Sequence, residues 1–296
     1  MRIKTQGRAT RSAKLIAMLC TCAVLLSFIL GSTAHAAKAK HAKPELMKIA
    51  VTSPWLYEVA SFVGGRLTDV RALSRWSEDG RTIIVGSPTR SELVIAFDPE
   101  EAARFRISSK NKNLRVLYSE RPMDEASMRA AFFDPAMFPF IAQEVMKILS
   151  AEDAENYSYY QRRLAEFQSR IDSAIGVGRH MLEGVGILDL TGAEGTWVRS
   201  AINGVVRPPV SVWNSWLAGD SKALRAALDE ASRRGWLLLL DPWTPPAIRA
   251  AASAYAYRLT LPPPSNNEEY FVFLNEIFTI ISRRVNANAA SKAKTK

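Results

Sequence analysis

Polar and aromatic side chains follow several of the predicted strands, where they could line a ligand site. In parallel α/β sheets, ligands lie beyond the carboxyl ends of the strands. Aromatic walls with a few charged groups suit a small polar organic ligand. Each residue also has a structural alternative, because strand-end acids commonly cap the next helix and tryptophans commonly pack in the core. The candidate ligand-binding residues are Trp55, Arg81, Glu194, Trp197 and Asp241.

No arrangement of residues for covalent or hydrolytic catalysis is recognisable in the sequence. Both cysteines, Cys20 and Cys22, lie in an apolar N-terminal stretch, and the chain contains no Gly-x-Ser-x-Gly motif. Serine or thiol chemistry needs a base beside the nucleophile, and no histidine follows a predicted strand. Paired carboxylates could still act, but no spacing singles out a pair. We therefore expect that the protein is not an enzyme, and an exported hydrolase is the least favoured alternative.

Strand and helix patterns alternate in the first half of the chain after residue 46. Met47 to Thr52 (MKIAVT) predicts a buried strand, and Leu56 to Val63 predicts a helix that ends at Gly64-Gly65. Strands separated by helices indicate a parallel sheet covered by helices. The further strands predicted in this half are Val70–Leu73, Thr82–Val85, Leu93–Phe97 and Leu114–Tyr118.

A second α/β set follows in the last third of the chain. Val185 to Leu190 and Trp236 to Leu240 predict strands, and Ser221 to Arg234 predicts a helix that ends at Gly235. The capping pattern Ser265-Asn266-Asn267-Glu268 predicts the start of a last helix. The remaining predicted elements are helices at Thr196–Ile202 and Pro246–Tyr255 and short strands at Val210–Trp213 and Arg258–Leu261.

One long helix is predicted between the two sets. Asp134-Pro135 predicts the start of a preceding helix, and the chain then runs from Glu155 to Ala174 without Gly or Pro. Apolar residues recur along this run at the spacing of one helix face. A coiled-coil arm or a long core helix would give the same pattern, but the α/β sets on both sides favour a connecting helix. The expected fold class is α/β, with two lobes, each with a central mostly parallel sheet flanked by helices, joined by one long rigid α-helix.

The first 36 residues predict a cleavable secretory signal peptide. Basic residues without acids precede the apolar stretch Leu15 to Leu30, and Ala34-His35-Ala36 has small residues at the two positions that a signal peptidase reads. A membrane anchor is the alternative, but this stretch is shorter than the roughly 20 residues that a membrane-spanning helix needs. We expect cleavage after Ala36 and a periplasmic protein.

The positive charge of the chain lies at its two ends. The formal net charge is +10, yet the region from Ile49 to Ser282 holds 25 basic and 28 acidic residues. The basic ends are therefore no evidence for nucleic-acid binding, and we expect no nucleic-acid partner. Both ends of the mature chain are rich in Ala and Lys and are predicted to be disordered.

The predicted domain organisation follows from these patterns. About 235 residues lie between the two basic tails. This length is enough for one large domain or for two lobes of roughly 100 residues each. The segments are a signal peptide (1–36), a flexible basic segment (37–46), a first α/β lobe (47–150), a connecting helix (151–177), a second α/β lobe (178–284) and a disordered basic tail (285–296).

Several segments resemble the zinc- and manganese-binding solute-binding proteins of ABC importers. Met47–Gly65 is similar to the family's opening strand and helix, which end in a Gly-Gly turn. Export, two α/β halves and a single connecting helix are also typical of this family. The other similar segments are Phe132-Phe133-Asp134-Pro135 with Tyr157–Ile175, Glu194-Gly195-Thr196-Trp197 through Asn203-Gly204-Val205, and Trp236–Asp241.

The metal ligands of that family are mostly missing. The family usually supplies three His, or two His and a Glu, together with an Asp, and these donors suit zinc and manganese. The corresponding positions here hold Arg81, Ala130 (or Ala131), Glu194 and Thr260. The resemblance therefore implies no certain cofactor. Glu194 and Asp241 are the candidate ligands if a divalent zinc or manganese ion is bound.

The resemblance implies a periplasmic solute-binding component of an ABC-type importer with an altered inter-lobe site. Its expected partners are an ABC permease in the inner membrane and a small solute or metal ion, and the expected state is a monomer. The missing ligands leave a second hypothesis, a non-transport periplasmic interaction protein on the same scaffold. Saturable stabilisation by one solute would distinguish the two.

Overall fold

The computed structural model describes residues 46–119, 124–266 and 268–294. The expected signal peptide (1–36), its cleavage site and residues 37–45 of the basic segment lie outside these ranges. Within them, no helix is both long enough and apolar enough to cross a membrane.

The first lobe is built on a four-stranded parallel sheet. Its elements are, in chain order, β1 (Met47–Val51), α1 (Pro54–Gly64), β2 (Thr68–Ala72), β3 (Ser74–Trp76), β4 (Thr82–Ile84), β5 (Leu93–Ala96), α2 (Pro99–Arg104), β6 (Leu114–Val116), α3 (Glu125–Phe132) and α4 (Phe138–Glu152). The strand order is β2-β1-β5-β6, and all neighbouring strands are parallel. Because β1 leads to β2 on one side and has β5 on the other, the sheet reverses its strand order between β1 and β5.

The sequence at β1 and α1 accounts for the centre of this sheet. Ile49, Ala50 and Val51 have no exposed surface, as expected of a strand that is covered on both faces. Ser53 caps α1, since its Oγ accepts a hydrogen bond from the backbone N–H of Leu56. This cap sets the direction in which the chain leaves the strand and leads into the helix.

The predicted strand at Thr82–Val85 exists, but it does not belong to the parallel sheet. It is β4, which pairs with β3 in a separate antiparallel hairpin. A tight turn explains the difference, because the N–H of Ser77 donates to the carbonyl of Arg81 at 2.8 Å. Gly80 in this turn has a φ of +76°, which glycine adopts without the strain that a side chain would cause.

A long helix connects the lobes and is part of their shared core. This helix, α5 (Tyr157–Met181), has 25 residues and is therefore about 37 Å long. It packs against α1 and α4, and its buried side chains join a hydrophobic cluster that contains residues of both lobes. The prediction of one long connecting helix is confirmed, and the helix continues beyond the predicted end at residue 177. His180 lies in its last turn.

The second lobe repeats the strand order of the first. Its elements are β7 (Ile187–Asp189), α6 (Gly195–Ala201), β8 (Val205–Val206), α7 (Val210–Leu217), α8 (Ser221–Arg233), β9 (Leu237–Leu240), α9 (Pro246–Ala252), β10 (Arg258–Thr260) and α10 (Tyr270–Lys294). The order is β10-β9-β7-β8, again all parallel. In each lobe, the first sheet strand lies between the second and the third, and the fourth is at the edge. The predicted fold class is confirmed.

The short strand predicted at Val210–Trp213 is wrong, because this segment begins α7. The N–H of Trp213 donates to the carbonyl of Pro209, and later residues continue the helical pattern. Trp216 is 3 % exposed, whereas Val210 is 76 % exposed. Packing of the helix through Trp216 thus overrides the strand preference of the valines.

Two predicted helix starts are also displaced. Asp134 does not cap α4, which begins at Phe138; its Oδ1 accepts from the N–H of Ala136 within the preceding turn. The last helix begins at Tyr270 rather than at the predicted cap near residue 265. Asn266 instead uses its side chain to bind the backbone of Trp76 in the first lobe.

The C-terminal end of the chain differs from the prediction as well. A disordered basic tail was predicted from residue 285, whereas α10 continues to Lys294. Alanines and lysines are good helix formers. The segment after residue 285 has no core-facing pattern of its own, but it extends a helix whose first half is anchored in the core. Ile277 and Ile281 in that half have no exposed surface.

Candidate site between the two lobes

Aromatic side chains from both lobes meet beyond the carboxyl ends of β1 and β9. Trp55 follows β1 and Trp243 follows β9, and their ring centroids are 6.4 Å apart. Trp55 also contacts Trp76 edge-on at 4.3 Å and stacks on Phe132 at 5.0 Å. Aromatic pairs of this kind contribute roughly 0.5–1.5 kcal/mol each beyond their burial. We call Trp55, Trp76, Phe132, Phe133, Trp243 and Tyr270 the aromatic cluster.

Hydrogen bonds between the lobes accompany the aromatic cluster. The indole Nε1 of Trp243 donates to the carbonyl of Gly80 at 3.1 Å. The Asn266 side chain accepts from the N–H of Trp76 at 2.7 Å and donates to its carbonyl at 3.0 Å. These contacts tie the hairpin of β3 and β4 to the second lobe. The cluster is therefore a packed and directionally bonded junction between the lobes.

Asp241, at the end of β9, binds a backbone loop of its own lobe. The residue has no exposed surface. Its carboxylate accepts from the N–H groups of Gly192, Ala193 and Glu194 at 2.8–3.2 Å. It also accepts from the N–H of Trp243 at 3.1 Å and from the Thr244 hydroxyl at 3.0 Å. A carboxylate offers about four lone-pair positions, so these five donors use the acceptor capacity that a bound cation would need.

Glu194 lies at the start of α6 and is buried without a partner. It has no exposed surface, and neither carboxylate oxygen has a hydrogen-bond partner among the described residues. Burial raises the pKa of Glu194 well above its ordinary value, and the neighbouring charge of Asp241 raises it further. The side chain therefore favours its neutral, protonated form. In that form, one oxygen could donate a hydrogen bond to a polar ligand atom and the other could accept one.

The side chains of Trp197 and Arg81, two other predicted site residues, are engaged elsewhere than with the carboxyl groups of Glu194 and Asp241. Trp197 is 1 % exposed, donates from Nε1 to the carbonyl of Leu274 at 3.0 Å and stacks on Phe278. Arg81 lies in the turn between β3 and β4, pairs with Asp79 at 2.7 Å and has a side chain that is 80 % exposed. Trp197 thus packs in the core, and Arg81 faces solvent.

Two residues at this junction were not among the sequence candidates. Trp76 lies at the end of β3, and the guanidinium of Arg129 lies 5.4 Å from the ring centroid of Trp243. Cation–π contacts of this type are worth roughly 0.5–2 kcal/mol. Trp76 lies just after the predicted strand Val70–Leu73, and its position after a strand could have identified it as a candidate. Arg129 sits in a helix and had no local signal that pointed to Trp243.

The donors present do not fit a four-ligand zinc or manganese site. No group of three or more His, Cys, Asp or Glu side chains that could hold a metal ion occurs in the described ranges. Asp241 is fully engaged by five donors, and Glu194 contributes a single carboxyl group. Ala130, at a position that corresponds to a family ligand, offers no side-chain donor. Zinc sites in proteins need three or four such donors.

Solved structures of other proteins share this two-lobed architecture. A crystal structure of ZnuA has a TM-score of 0.56 and 14 % identity, and the match covers 81 % of this chain and 99 % of that chain. Lmb of Streptococcus agalactiae, described as a laminin-binding protein with adhesin and metal transporting activity, has a TM-score of 0.56, 14 % identity and coverages of 80 % and 99 %. The SBP (solute-binding protein) FpvC from Pseudomonas aeruginosa, in complex with Mn²⁺, has a TM-score of 0.54, 12 % identity and coverages of 82 % and 100 %.

This chain has the fold of those structures. The resemblance that the sequence suggested is thereby confirmed at the level of the fold, and at these identities the likeness extends no further. No protein-family model and no curated protein sequence matches the chain. The fold joins two lobes of equal topology by one helix and brings the carboxyl ends of their sheets to a common junction.

Proposed function

We propose that this protein is the periplasmic solute-binding component of an ABC-type importer, with an inter-lobe site that differs from a metal site. The observation that carries the proposal is the architecture: two lobes of the same strand order, joined by the 25-residue helix α5. The solved structures with this fold include an SBP in complex with Mn²⁺ and a protein described as having metal transporting activity. A long connecting helix in a shared core favours small movements between lobes over a wide hinge opening.

The altered site is supported by what lies at the junction of the lobes. The aromatic cluster occupies the region beyond β1 and β9, and the carboxylate of Asp241 accepts hydrogen bonds from a backbone loop. Glu194 remains as an isolated neutral carboxyl group. These features support a solute other than a zinc or manganese ion held by four side chains. Glu194 and Asp241 are accordingly poor joint ligands for a divalent metal.

The proposed location and partners follow from the same function. The basic and apolar N-terminus supports export with cleavage after Ala36. The partner of an exported solute-binding protein would be an ABC permease in the inner membrane, and the protein would act as a monomer. N-terminal sequencing of the periplasmic form tests the cleavage site, and a first residue other than Ala37 would contradict it.

Metal content and bound solute can be tested together on the exported protein. The wild-type chain and the Glu194→Gln variant would be purified from the periplasm without added metal and compared by native mass spectrometry and elemental analysis. We expect no stoichiometric zinc or manganese in either protein, and an organic mass that copurifies with both. One zinc or manganese ion per chain that is lost in Glu194→Gln would contradict the altered site.

A second candidate function is an interaction protein on the same scaffold. The packed aromatic cluster favours it, because a junction filled by the chain's own rings leaves little room for a solute. Thermal unfolding in the presence of metals and small organic solutes distinguishes the candidates. Saturable stabilisation by one solute supports the binding protein, since a ligand that binds only the folded state raises its stability. A flat response across solutes supports the interaction protein.

A further inference from the structure

A second cavity is lined by residues of the first lobe only, among them Trp55, Trp76 and Arg129 at the edge of the inter-lobe junction. It has a volume of about 190 Å³ and is lined only by residues between positions 52 and 129. Thr52 follows β1, and Glu101 lies in α2 after β5, so the cavity is found where the strand order of the first sheet reverses. Ligands of open α/β sheets bind at such reversal points. The volume is below the roughly 300–1,000 Å³ of sites for drug-sized ligands and suits a small metabolite.

One wall of the cavity holds a buried acid with a free oxygen atom. Glu101 is 3 % exposed. Its Oε2 accepts from the Thr52 hydroxyl at 2.5 Å and from the N–H of Phe97 at 2.7 Å. No described residue forms a hydrogen bond with its Oε1. Burial raises the pKa of Glu101 despite these two bonds, and a positive group placed beside Oε1 would offset that burial.

The rim of the cavity carries an excess of positive charge. Arg104 and Arg129 both pair with Glu125, at 3.9 Å and 3.0 Å. Two guanidinium groups thus share one carboxylate, and the rim keeps a net charge of about +1. Arg104 follows Glu101 by three positions on α2, a spacing that places two side chains on the same face of a helix. The buried acid Glu101 therefore has a neighbouring guanidinium, Arg104, whose ion pair with Glu125 is the longer of the two at the rim, at 3.9 Å.

An acid and a base side by side are complementary to a ligand that carries a positive and a negative group on the same carbon atom. We propose that this cavity binds a small α-amino acid, with its ammonium group against Glu101 and its carboxylate against Arg104. Guanidinium groups recognise carboxylates through paired hydrogen bonds. Trp76, Ile84 and Met128 line the same cavity and provide an apolar surface for a small side chain. Because only first-lobe residues line the site, amino-acid binding can be tested independently of whether the inter-lobe junction holds a metal ion.

Binding of defined probes to the exported full-length protein tests the site. Each of the standard L-amino acids would be added at about 1 mM in thermal unfolding, since a ligand in excess of its Kd raises stability measurably. We expect one or a few small amino acids to stabilise the protein. Isothermal titration with the best of them should show at least roughly tenfold weaker binding for the amine that lacks its carboxylate and for the acid that lacks its amino group.

Matched variants assign the contacts. Glu101→Gln and Arg104→Gln should each weaken binding roughly tenfold or more, whereas Glu100→Gln, on the exposed side of α2, should leave it unchanged. Circular dichroism establishes that each variant is folded, and Arg104→Gln carries the test if Glu101→Gln does not fold. The proposal is overturned if no amino acid binds, if the amine or the acid alone binds as well as the amino acid, or if a folded variant retains full affinity.

Discussion

Glu58, on α1, should make the folded protein less stable as the pH rises. The side chain lies in a hollow beside Phe62, Phe167 and Phe271. Burial raises the pKa of Glu58 from 4.5 to about 7; a hydrogen bond with the backbone of Tyr270 opposes the shift and repulsion from Glu269 adds to it. The folded state therefore keeps this proton up to about pH 7, whereas the unfolded chain releases it near 4.5.

The magnitude follows from that difference in pKa. One pKa unit corresponds to about 1.4 kcal/mol, so the shift from 4.5 to about 7 amounts to at most about 3.5 kcal/mol in the free energy of unfolding. The stabilising contribution of protonated Glu58 is fully present below about pH 4.5 and is lost as the pH rises through about 7, because the folded state then binds more protons than the unfolded state.

Glu58→Gln isolates this effect, because glutamine has the same shape and no charge. Urea unfolding at pH 5 and pH 8 gives the free energies of both proteins. We expect the advantage of the variant over the wild type to grow by roughly 2–3 kcal/mol between these pH values. Glu183→Gln, at an exposed position, is the control and should show no such growth. An equal difference at both pH values, or a variant that is the weaker protein at pH 8, would refute the argument.

Three further substitutions probe the packing of α5, the Asp241 loop and the aromatic cluster. A Cβ on Gly178 would lie 2.5 Å from the Phe278 ring, whereas one on Gly176 meets nothing within 4 Å. In urea unfolding, Gly178→Ala should therefore destabilise the protein by about 1–3 kcal/mol, and Gly176→Ala should stabilise it by about 0.5–1 kcal/mol. Equal effects of the two substitutions would contradict the close contact at Gly178. Asp241→Asn should lower the free energy of unfolding by about 2–3 kcal/mol, because backbone donors lose a charged acceptor. The control Asp172→Asn, at an exposed position, should change it little. A tolerated Asp241→Asn would show that the loop does not depend on the charge. Trp55→Ala should lower the free energy of unfolding by about 3–5 kcal/mol, measured in the same way. Val272→Ala, which alters a half-exposed side chain, is the control. A smaller effect for Trp55→Ala than for this control would argue that Trp55 serves a ligand rather than the core.

The elements were largely readable from local patterns. Ile49 to Val51 and Leu237 to Leu240 are short apolar runs that end in turn residues, and such runs predict buried parallel strands directly. The segment at Val210 was misread, because valines favour strands and only the burial of Trp216 decides for a helix. Asp134 was misread as a helix cap, because an Asp-Pro pair is equally compatible with the turn that precedes a helix.

The candidate site was readable only in part. Glu194 and Asp241 were named from their positions after strands, and both lie at the carboxyl edge of the second sheet. Their roles depend on a contact across more than forty positions of the chain, in which Asp241 binds the N–H groups that precede α6. No local pattern encodes which acid receives these bonds and which is left without a partner. Arg129 was missed for the same reason, since its contact with Trp243 joins the two lobes.

The sequence by itself determined the α/β class, the alternation of strands and helices in two sets, and the long connecting helix, because hydrophobic periodicity and caps act over a few residues. It also determined that the histidines and cysteines of a typical metal site are scarce. Only the tertiary structure decided what lies between the lobes. Trp243 and Gly80 are 163 positions apart and hydrogen-bonded, and such contacts depend on how two finished lobes pack against one helix. Glu194 is buried by contacts of the same long-range kind.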